Sequence, residues 1–215
     1  KLRKGEAYVI RYRMPADQEI HFDDIIRGHI VVNTSTLDDK VLLSWNALMI
    51  RAYADAYSTF GNTEYLGIAL NATRFISSAF KNPGGGYYHT WKNGKARIAA
   101  FLDDYTFFAE ACLSIYQITL DNTWLGEAES LVKFALSNFA DPESGLFFFS
   151  ESRHHCIARK TEIYDSVVPS SNSAMARLLF AMGTISGKNA YLEVAGQMMS
   201  AMTSKIINYP TSYAN

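Results

Sequence analysis

Three acidic residues, Asp103, Asp104 and Asp165, lie just before or at the start of apolar segments and suggest a chemistry. Two carboxyl groups that flank a glycosidic bond act as acid and base when burial keeps one of them protonated. We expect Asp104 and Asp165 to form such a catalytic pair, with Asp103 as a third catalytic candidate. Hydrolysis of a sugar is therefore the first reaction to consider.

Helix capping is an alternative role for these aspartates, because Asp is among the residues preferred at a helix N-cap. Asp39, Asp103 and Asp165 each precede an apolar segment and fit that role. Asp104 is the stronger catalytic candidate, since Asp103 can cap the helix while its neighbour points inward. The sequence leaves both roles open.

Polar and aromatic residues near the aspartates predict a rim that binds substrate. The expected substrate-binding residues are Asp39, Trp45, Asn46, Tyr105, Ser171, Asn172, Tyr88 and Trp91. Asn46 and Asn172 lie in or beside apolar stretches, where hydrogen bonds between helices explain them as well as ligand contact does. The aromatic segments that carry Tyr88 and Trp91 are equally explained as lids packed on the core.

The elements that must position these residues repeat three times along the chain. An aromatic-Leu-x-x-Ala pattern begins at Tyr65, Trp124 and Tyr191, at offsets of 59 and 67 residues, and a turn precedes each copy. After each turn, apolar residues follow helical spacing with polar residues opposite, which predicts an amphipathic outer helix. The segments before the turns are apolar almost all round and predict buried inner helices. They span 41–56, 101–116 and 173–182.

Pairs of one inner and one outer helix predict a mainly α protein, a partial α/α toroid of three helical hairpins. A period near 60 residues favours a toroid over a superhelical solenoid, whose repeats run nearer to about 35 or 45 residues. Inner helices of such a ring run parallel, so their N-termini lie on one face. Counting back 20 positions from the repeat aromatics gives Trp45, Asp104 and Ser171, which places the candidate residues on that face.

Two β-hairpins are expected above the same face. The first spans 84–94 and closes with an Asn-Gly turn, and the second includes the aromatic run at 145–149. Epimerisation beside a carbonyl needs a base with a pKa near 7, commonly His. None of the three predicted inner helices carries a His, which disfavours that reaction.

Composition narrows the function further. A net charge of -1 without a block of like charges gives no footprint for nucleic acid, and no apolar run reaches the ~18 residues of a membrane span. We expect a cytoplasmic protein whose toroid part binds neither nucleic acid nor membrane. The two cysteines, Cys112 and Cys156, predict no disulfide. His154 and His155 beside Cys156 predict a solvated hairpin, so we expect no metal and no cofactor.

Three motifs carry a family resemblance: LDDKVLLSWNALM at 37–49, FLDDYTF at 101–107 and YDSVVPSSNS at 164–173. They resemble the YyaL-like family, which includes spermatogenesis-associated protein 20, over about 37–204. The resemblance implies a thioredoxin-like domain before a toroid similar to N-acylglucosamine 2-epimerases and six-hairpin glycosidases, with no firmly assigned reaction. We expect a role in carbohydrate metabolism. The motif residues are Asp39, Trp45, Asn46, Asp103, Asp104, Tyr105, Asp165, Ser171 and Asn172. Two departures are Ala47 in place of a frequent Gly and the lack of a Cys-x-x-Cys motif upstream.

The residues before the toroid have a different likeness. Residues 5–42 are similar to an internal stretch of glutamyl-tRNA synthetase, and the alternation at 8–13 and the β-branched run at 30–32 predict strands. The signature motifs of the synthetase are not present, so aminoacylation by this chain is not expected. Both resemblances share the string LDDKVL at 37–42, which predicts a chimeric chain, with a natural fusion as the alternative.

The predicted organisation is a β-containing segment at 1–37, an incomplete toroid at 38–204 and a tail at 205–215. A start at Lys1 and an end at Asn215 without a closing element predict a piece of a longer protein. We expect a carbohydrate-active-like fragment of sugar-binding, glycosidase or epimerase type, inactive alone, that self-associates through exposed inner-helix faces. The alternatives are a redox-linked or interaction module without enzymatic activity, or a function carried by the synthetase-like segment, with ATP and tRNA as partners.

Overall fold

The computed structural model describes residues 19–24, 28–33, 41–152 and 158–213. Within these ranges the chain forms three pairs of antiparallel helices, which confirms the predicted toroid hairpins. The helices are α1 Leu43–Phe60, α2 Thr63–Ala79, α3 Leu102–Thr119, α4 Asn122–Phe139, α5 Ser171–Ser186 and α6 Asn189–Asn208. A 3-10 helix follows at Pro210–Tyr213, and α6 continues past the boundary predicted at 204.

Short turns between paired helices follow from residue type. Gly61 and Gly187 end α1 and α5 in the left-handed region, with φ of 66° and 67°, which glycine adopts without steric cost. Asn62 and Asp121 then cap α2 and α4, each accepting a backbone hydrogen bond at 2.9 Å from the residue two positions on. Turns of two residues leave the paired helices side by side and antiparallel.

In the second pair the two helices differ in burial as predicted, whereas the inner helix α1 leaves Trp45 and Met49 exposed on one face. Outer helix α4 buries one stripe, at Ala128, Leu131, Val132, Ala135 and Phe139, whose spacing is that of one helix face. Inner helix α3 packs between α1 and α5 and buries residues on nearly every side. The core therefore lies between the inner and outer layers and is continuous through all three hairpins.

The strands form small antiparallel sheets. Strand β1 (Glu19–Asp24) pairs with β2 (Gly28–Asn33), β3 (Val41–Leu42) pairs with β4 (Tyr88–Lys92), β4 pairs with β5 (Lys95–Ala99), and β6 (Ala140–Asp141) pairs with β7 (Leu146–Phe147). The β4–β5 hairpin confirms the predicted Asn-Gly turn, with Asn93 and Gly94 both at positive φ, but its second strand follows the turn and lies beyond the range predicted at 84–94. The aromatic run at 145–149 supplies only the second strand of its hairpin.

Several sequence-based expectations concern residues outside the described ranges. They include Asp39, the segment with His154, His155 and Cys156, and the predicted strand at 8–13. The β-branched run at 30–32 lies in β2, as predicted. None of the described helices is long and apolar enough to cross a bilayer.

Close packing between α5 and α6 depends on Gly183. A Cβ at this position would lie 2.7 Å from Leu192 Cδ2 and 3.2 Å from the Leu192 backbone nitrogen. The backbone contact leaves little room for adjustment by side-chain rotation alone. Gly126 on α4 is different, because a Cβ there meets nothing within 4 Å.

We predict opposite effects of alanine at these two glycines. G183A should lower the free energy of unfolding by about 1–3 kcal/mol through overpacking against Leu192. G126A should raise it by about 0.5–1 kcal/mol, because alanine favours a helix interior over glycine. Urea unfolding followed by circular dichroism measures both, and equal effects of the two variants would contradict the close contact.

A charged row crosses the inner layer. Glu110 on α3 is buried and accepts from Arg51 on α1 at 3.0 Å and from Arg177 on α5 at 2.8 and 3.1 Å. The three residues are separated by 59 and 67 positions, the offsets of the repeat. One carboxylate therefore links all three inner helices at one height.

We predict that E110Q destabilises the chain far more than E129Q. The first change leaves two arginines without their counter-charge and should cost about 2–3 kcal/mol, less than a fully buried pair because both arginines are part-exposed. Glu129 pairs with exposed Lys133 and Lys188, so its neutralisation should cost under about 1 kcal/mol. Comparable losses in thermal unfolding would argue against a central role for Glu110.

Candidate functional site

The N-termini of α1 and α3 meet at the carboxylate of Asp104. Its side chain is fully buried, and Oδ1 accepts the backbone N–H of Ser44 at 2.9 Å. Oδ2 accepts the backbone N–H of Phe101 at 2.9 Å and hydrogen-bonds to Nδ1 of His89 at 2.8 Å. The inner-helix N-termini and the β4–β5 hairpin thus share one face, as predicted from the repeat.

Of the two roles that the sequence left open for these aspartates, capping at the start of α3 belongs to Asp104. Asp104, expected to point freely inward, caps its own helix through Phe101 and also the first turn of α1 through Ser44. Backbone N–H groups at two helix N-termini stabilise negative charge on this carboxylate. Asp104 therefore sits beneath the surface as a fixed acceptor.

Asp103, expected to be the cap, keeps a carboxyl oxygen uncommitted. Its Oδ1 is buried and has no hydrogen-bond partner. Burial, and then the charge of Asp104, raise the pKa of Asp103 to about 7, while His89 acts in the opposite direction and Glu162 adds to the rise. A carboxyl group with this pKa exchanges its proton near neutral pH.

His89 is a site residue that the sequence analysis missed. Burial lowers its pKa, but the hydrogen bond to Asp104 and the charges of Asp104 and Asp103 outweigh that effect, so the pKa is raised above 6.5. Its ring lies edge-on to Phe101 at 5.1 Å, and Phe101 stacks on Phe149 at 4.9 Å. None of the inner helices carries a His at this face, and His89 comes instead from β4, in the hairpin expected above it.

The sequence analysis also missed Glu162, which lies in the loop before α5. Its Oε2 accepts the backbone N–H of Ser171 at 3.4 Å. Ser171 is fully buried, and its Oγ has no hydrogen-bond partner. The charge of Glu162 also adds to the rise in the pKa of Asp103. No motif surrounds Glu162, so only the fold identifies it.

Asp165 and Asn172, two predicted site residues of the third hairpin, make structural hydrogen bonds. Asp165 Oδ1 accepts the backbone N–H of Ser170 at 2.8 Å and the hydroxyl of Ser173 at 3.3 Å, at the start of α5. Asn172 bonds both backbone groups of Phe147, at 2.8 and 2.9 Å, and donates to the carbonyl of Glu162 at 2.7 Å. Asn172 thereby fixes β7 and Glu162 against α5.

The remaining predicted residues take different positions. Trp45 is 64% exposed at the first turn of α1, beside Ser44. Asn46 is buried and donates to the carbonyl of Leu42 at 2.8 Å. Tyr88 on β4 is half-buried, next to His89. Trp45 keeps most of its surface exposed, whereas Tyr88 precedes His89 on β4 and its side chain therefore lies on the other side of that strand.

Tyr105 and Trp91 pack into the hydrophobic layer instead of joining His89. The hydroxyl of Tyr105 accepts the backbone N–H of Tyr87 at 2.9 Å, and its ring stacks on Phe134 at 4.8 Å. Trp91 lies edge-on to Phe75 at 5.3 Å. Among the described residues, no group of three His, Cys, Asp or Glu side chains is arranged to hold a metal ion.

Comparison with curated proteins confirms both sequence resemblances. Human spermatogenesis-associated protein 20 is 24% identical over 191 residues, which cover 82% of this chain and 24% of that protein. Glutamate–tRNA ligase of Alkaliphilus metalliredigens is 49% identical over 43 residues, or 20% of this chain and 9% of the ligase. The chain thus spans about a quarter of the first relative. No protein-family model matches the sequence.

Solved structures of toroid enzymes share the fold. An α-mannanase of glycoside hydrolase family 76 from Bacteroides thetaiotaomicron superposes with a TM-score of 0.66 at 20% identity, over 83% of this chain and 50% of the mannanase. A D-mannose isomerase gives 0.62 at 18% identity, over 80% and 44%. An α-1,6-mannanase of Salegentibacter, inactive with two consecutive aspartates changed to asparagine, gives 0.61 at 17% identity, over 75% and 46%. The chain is therefore similar to spermatogenesis-associated protein 20 over most of its length and has the fold of an α/α toroid.

Proposed function

We propose that this chain supplies a proton-transfer site for carbohydrate chemistry, with Asp103 as the general acid. The observation that carries the proposal is the carboxyl group of Asp103, whose pKa is raised to about 7 and whose buried Oδ1 has no partner. A general acid works best when its pKa lies near the working pH. Such a group is protonated often enough to donate and releases its proton easily.

The charges of Asp104 and His89 act on the pKa of Asp103. Asp104 accepts two backbone N–H groups and hydrogen-bonds to His89, so it remains in place while Asp103 changes protonation state. Two neighbouring carboxyl groups in unlike surroundings can take unlike roles. The charge of His89 lowers the pKa of Asp103. Release of the proton from Asp103 is therefore easier than it would be beside Asp104 alone.

Glu162 is the candidate base opposite Asp103. Its charge acts on Asp103, whereas the carboxylate of Asp165 is engaged at the start of α5. In hydrolysis, Asp103 gives its proton to the glycosidic oxygen as the bond to the anomeric carbon breaks. Glu162 takes a proton from the water that attacks that carbon. The pair thus differs from Asp104 and Asp165, which the sequence favoured.

A carbohydrate is the substrate class that fits the surroundings. Phe101 and Phe149 stack beside His89. Aromatic rings give sugars an apolar surface, while carboxylates and backbone N–H groups bind hydroxyls. Structural neighbours act on mannans, and one of them is inactive when two consecutive aspartates are replaced. This chain carries a consecutive pair, Asp103 and Asp104, at the N-terminus of α3.

Epimerisation or isomerisation is the second candidate, and His89 favours it. The sequence argument against this reaction was the lack of a His on the inner helices, and His89 supplies one from β4. Neighbours with this fold include a D-mannose isomerase and a cellobiose 2-epimerase. Asp104 and Asp103 raise the pKa of His89, which makes it a weaker fit to a free base, so hydrolysis assisted by Asp103 stays the first proposal.

We predict that D103N abolishes turnover while leaving binding intact. With α-1,6-mannotriose, cellobiose and mannose as probes, kcat should fall by about 10²–10⁴ and KM should change little, because asparagine cannot donate the proton. The matched control is D55N, at an exposed position on α1. Sugar release is followed by chromatography and binding by thermal shift. Turnover by D103N at the wild-type rate, or no response of the wild type to any sugar, contradicts the proposal.

We also predict a pH dependence of stability that comes from Asp103. An unfolded aspartate has a pKa of about 3.9, so the folded chain binds more protons between about pH 4 and pH 7. The free energy of unfolding should therefore fall as pH rises through this window. His89 acts in the same direction, since stability gained by its protonation is lost as pH rises through its raised pKa.

Urea unfolding between pH 4.5 and 8 measures this dependence. D103N should show a shallower decline than the wild type, because asparagine binds no proton, and D55N should follow the wild type. Parallel profiles for wild type and D103N would show that Asp103 titrates normally.

A further inference from the structure

Helix α1 exposes the face that α3 and α5 bury. The offsets of 59 and 67 residues match Met49 with Phe108 and Met175, and Trp45 with Asp104 and Ser171. The four matched residues on α3 and α5 are fully buried, whereas Met49 is 40% exposed and Trp45 is 64% exposed. We call the stripe Trp45, Met49, Ala52 and Ala56 the α1 edge.

Helix α5 exposes the opposite face. The same offsets match Phe180 with Leu113 on α3 and Ala54 on α1. Both of the latter are buried against the next inner helix, but Phe180 is 63% exposed. We call the stripe Ser173, Ala176 and Phe180 the α5 edge. It opens into an apolar groove of about 520 Å³, lined by Ile163, Leu192, Met199, Met202 and Ile206.

The two edges are the two halves of one repeated contact. In the α1–α3 packing, Ala54 of the first helix and Phe108 of the second occupy the positions that Phe180 and Met49 would occupy at a further junction. An exposed apolar stripe that adjoins an apolar groove is typical of an interface. An inner-helix edge of the same repeat fits each of them.

We propose that two copies of this chain close one ring, with the α5 edge of each copy against the α1 edge of the other. The chain spans 50% and 44% of two solved toroid chains, so two copies supply a comparable number of hairpins. A two-fold rotation about the ring axis forms both junctions at once and leaves no edge free. A dimer through two α5 edges alone would leave Trp45 and Met49 uncovered.

Charges at the junctions oppose closure and predict its salt dependence. The row of Arg51, Glu110 and Arg177 would place Arg177 of one copy beside Arg51 of the second copy. Each arginine already pairs with Glu110 in its own copy, which reduces the repulsion. Salt screens the remaining repulsion between the two arginines, and it does not weaken apolar packing. Association should therefore strengthen from low to moderate ionic strength.

Closure would also complete the candidate site. Asp104 of the second hairpin lies against Ser44 of the first. At a junction between copies, the repeat offsets place Trp45 of the second copy at the position equivalent to Asp104, and Ser170 at the position equivalent to Ser44. An indole from the second copy would then border Ser171 and Glu162. The assembly itself does not depend on the proposed sugar chemistry, so the two proposals fail separately.

Sedimentation equilibrium in 0.5 M NaCl tests the ring. The wild type should give twice the 24.1 kDa of one chain. M49K and F180E should each give one chain, because each variant places a charge in both junctions. The control L120E changes an exposed leucine at the end of α3, outside both edges, and should remain a dimer.

Mixing M49K with F180E distinguishes the ring from other dimers. In a mixed ring one junction carries both substitutions, which are opposite in charge, and the other junction is unchanged, so the dimer should return. A monomeric wild type, open-ended oligomers, or a mixture that stays monomeric while both variants keep their helical circular dichroism would overturn the proposal.

Discussion

The carboxylate of Asp104 is the interaction on which the arrangement of this face depends. It is fully buried and reaches the backbone of α1, the backbone at the start of its own helix and the ring of His89. An unpaired charge at such depth would be strongly unfavourable, so all three partners must be in place when the chain is folded. Two inner helices and the β4–β5 hairpin therefore take their relative positions from one side chain.

The proton chemistry of the site follows from that constraint. Because Asp104 is held with negative charge at two helix N-termini, its neighbour Asp103 lies in the field of a fixed anion and in a poorly solvated position. These two effects raise the pKa of Asp103 without any specialised residue. His89 partly compensates and couples the hairpin to the same equilibrium. The same buried side chain, Asp104, joins the two helix N-termini and raises the pKa of Asp103.

Much of the fold was predictable from the sequence, because its signals are local. Helical spacing around Trp124, the turn at Gly61 and the Asn93-Gly94 turn each report on a few neighbouring residues, and each was interpreted correctly. Contacts within the site join distant residues, such as Ser44 and Asp104, 60 positions apart. Spacing indicated that the inner-helix N-termini meet. It did not indicate which of two adjacent aspartates would face the backbone, since a rotation of 100° per residue decides that.

The charged row of Arg51, Glu110 and Arg177 fixes the axial alignment of the hairpins. The inner helices otherwise meet through aliphatic and aromatic side chains, such as Ala109 and Met175, which tolerate alternative interdigitation. A slip of one helix by a single turn, about 5.4 Å, would separate Glu110 from both arginines. Apolar surface alone supplies cohesion but little discrimination between such alignments. The row therefore acts as a register mark, through which similar hairpins can stack in one alignment only.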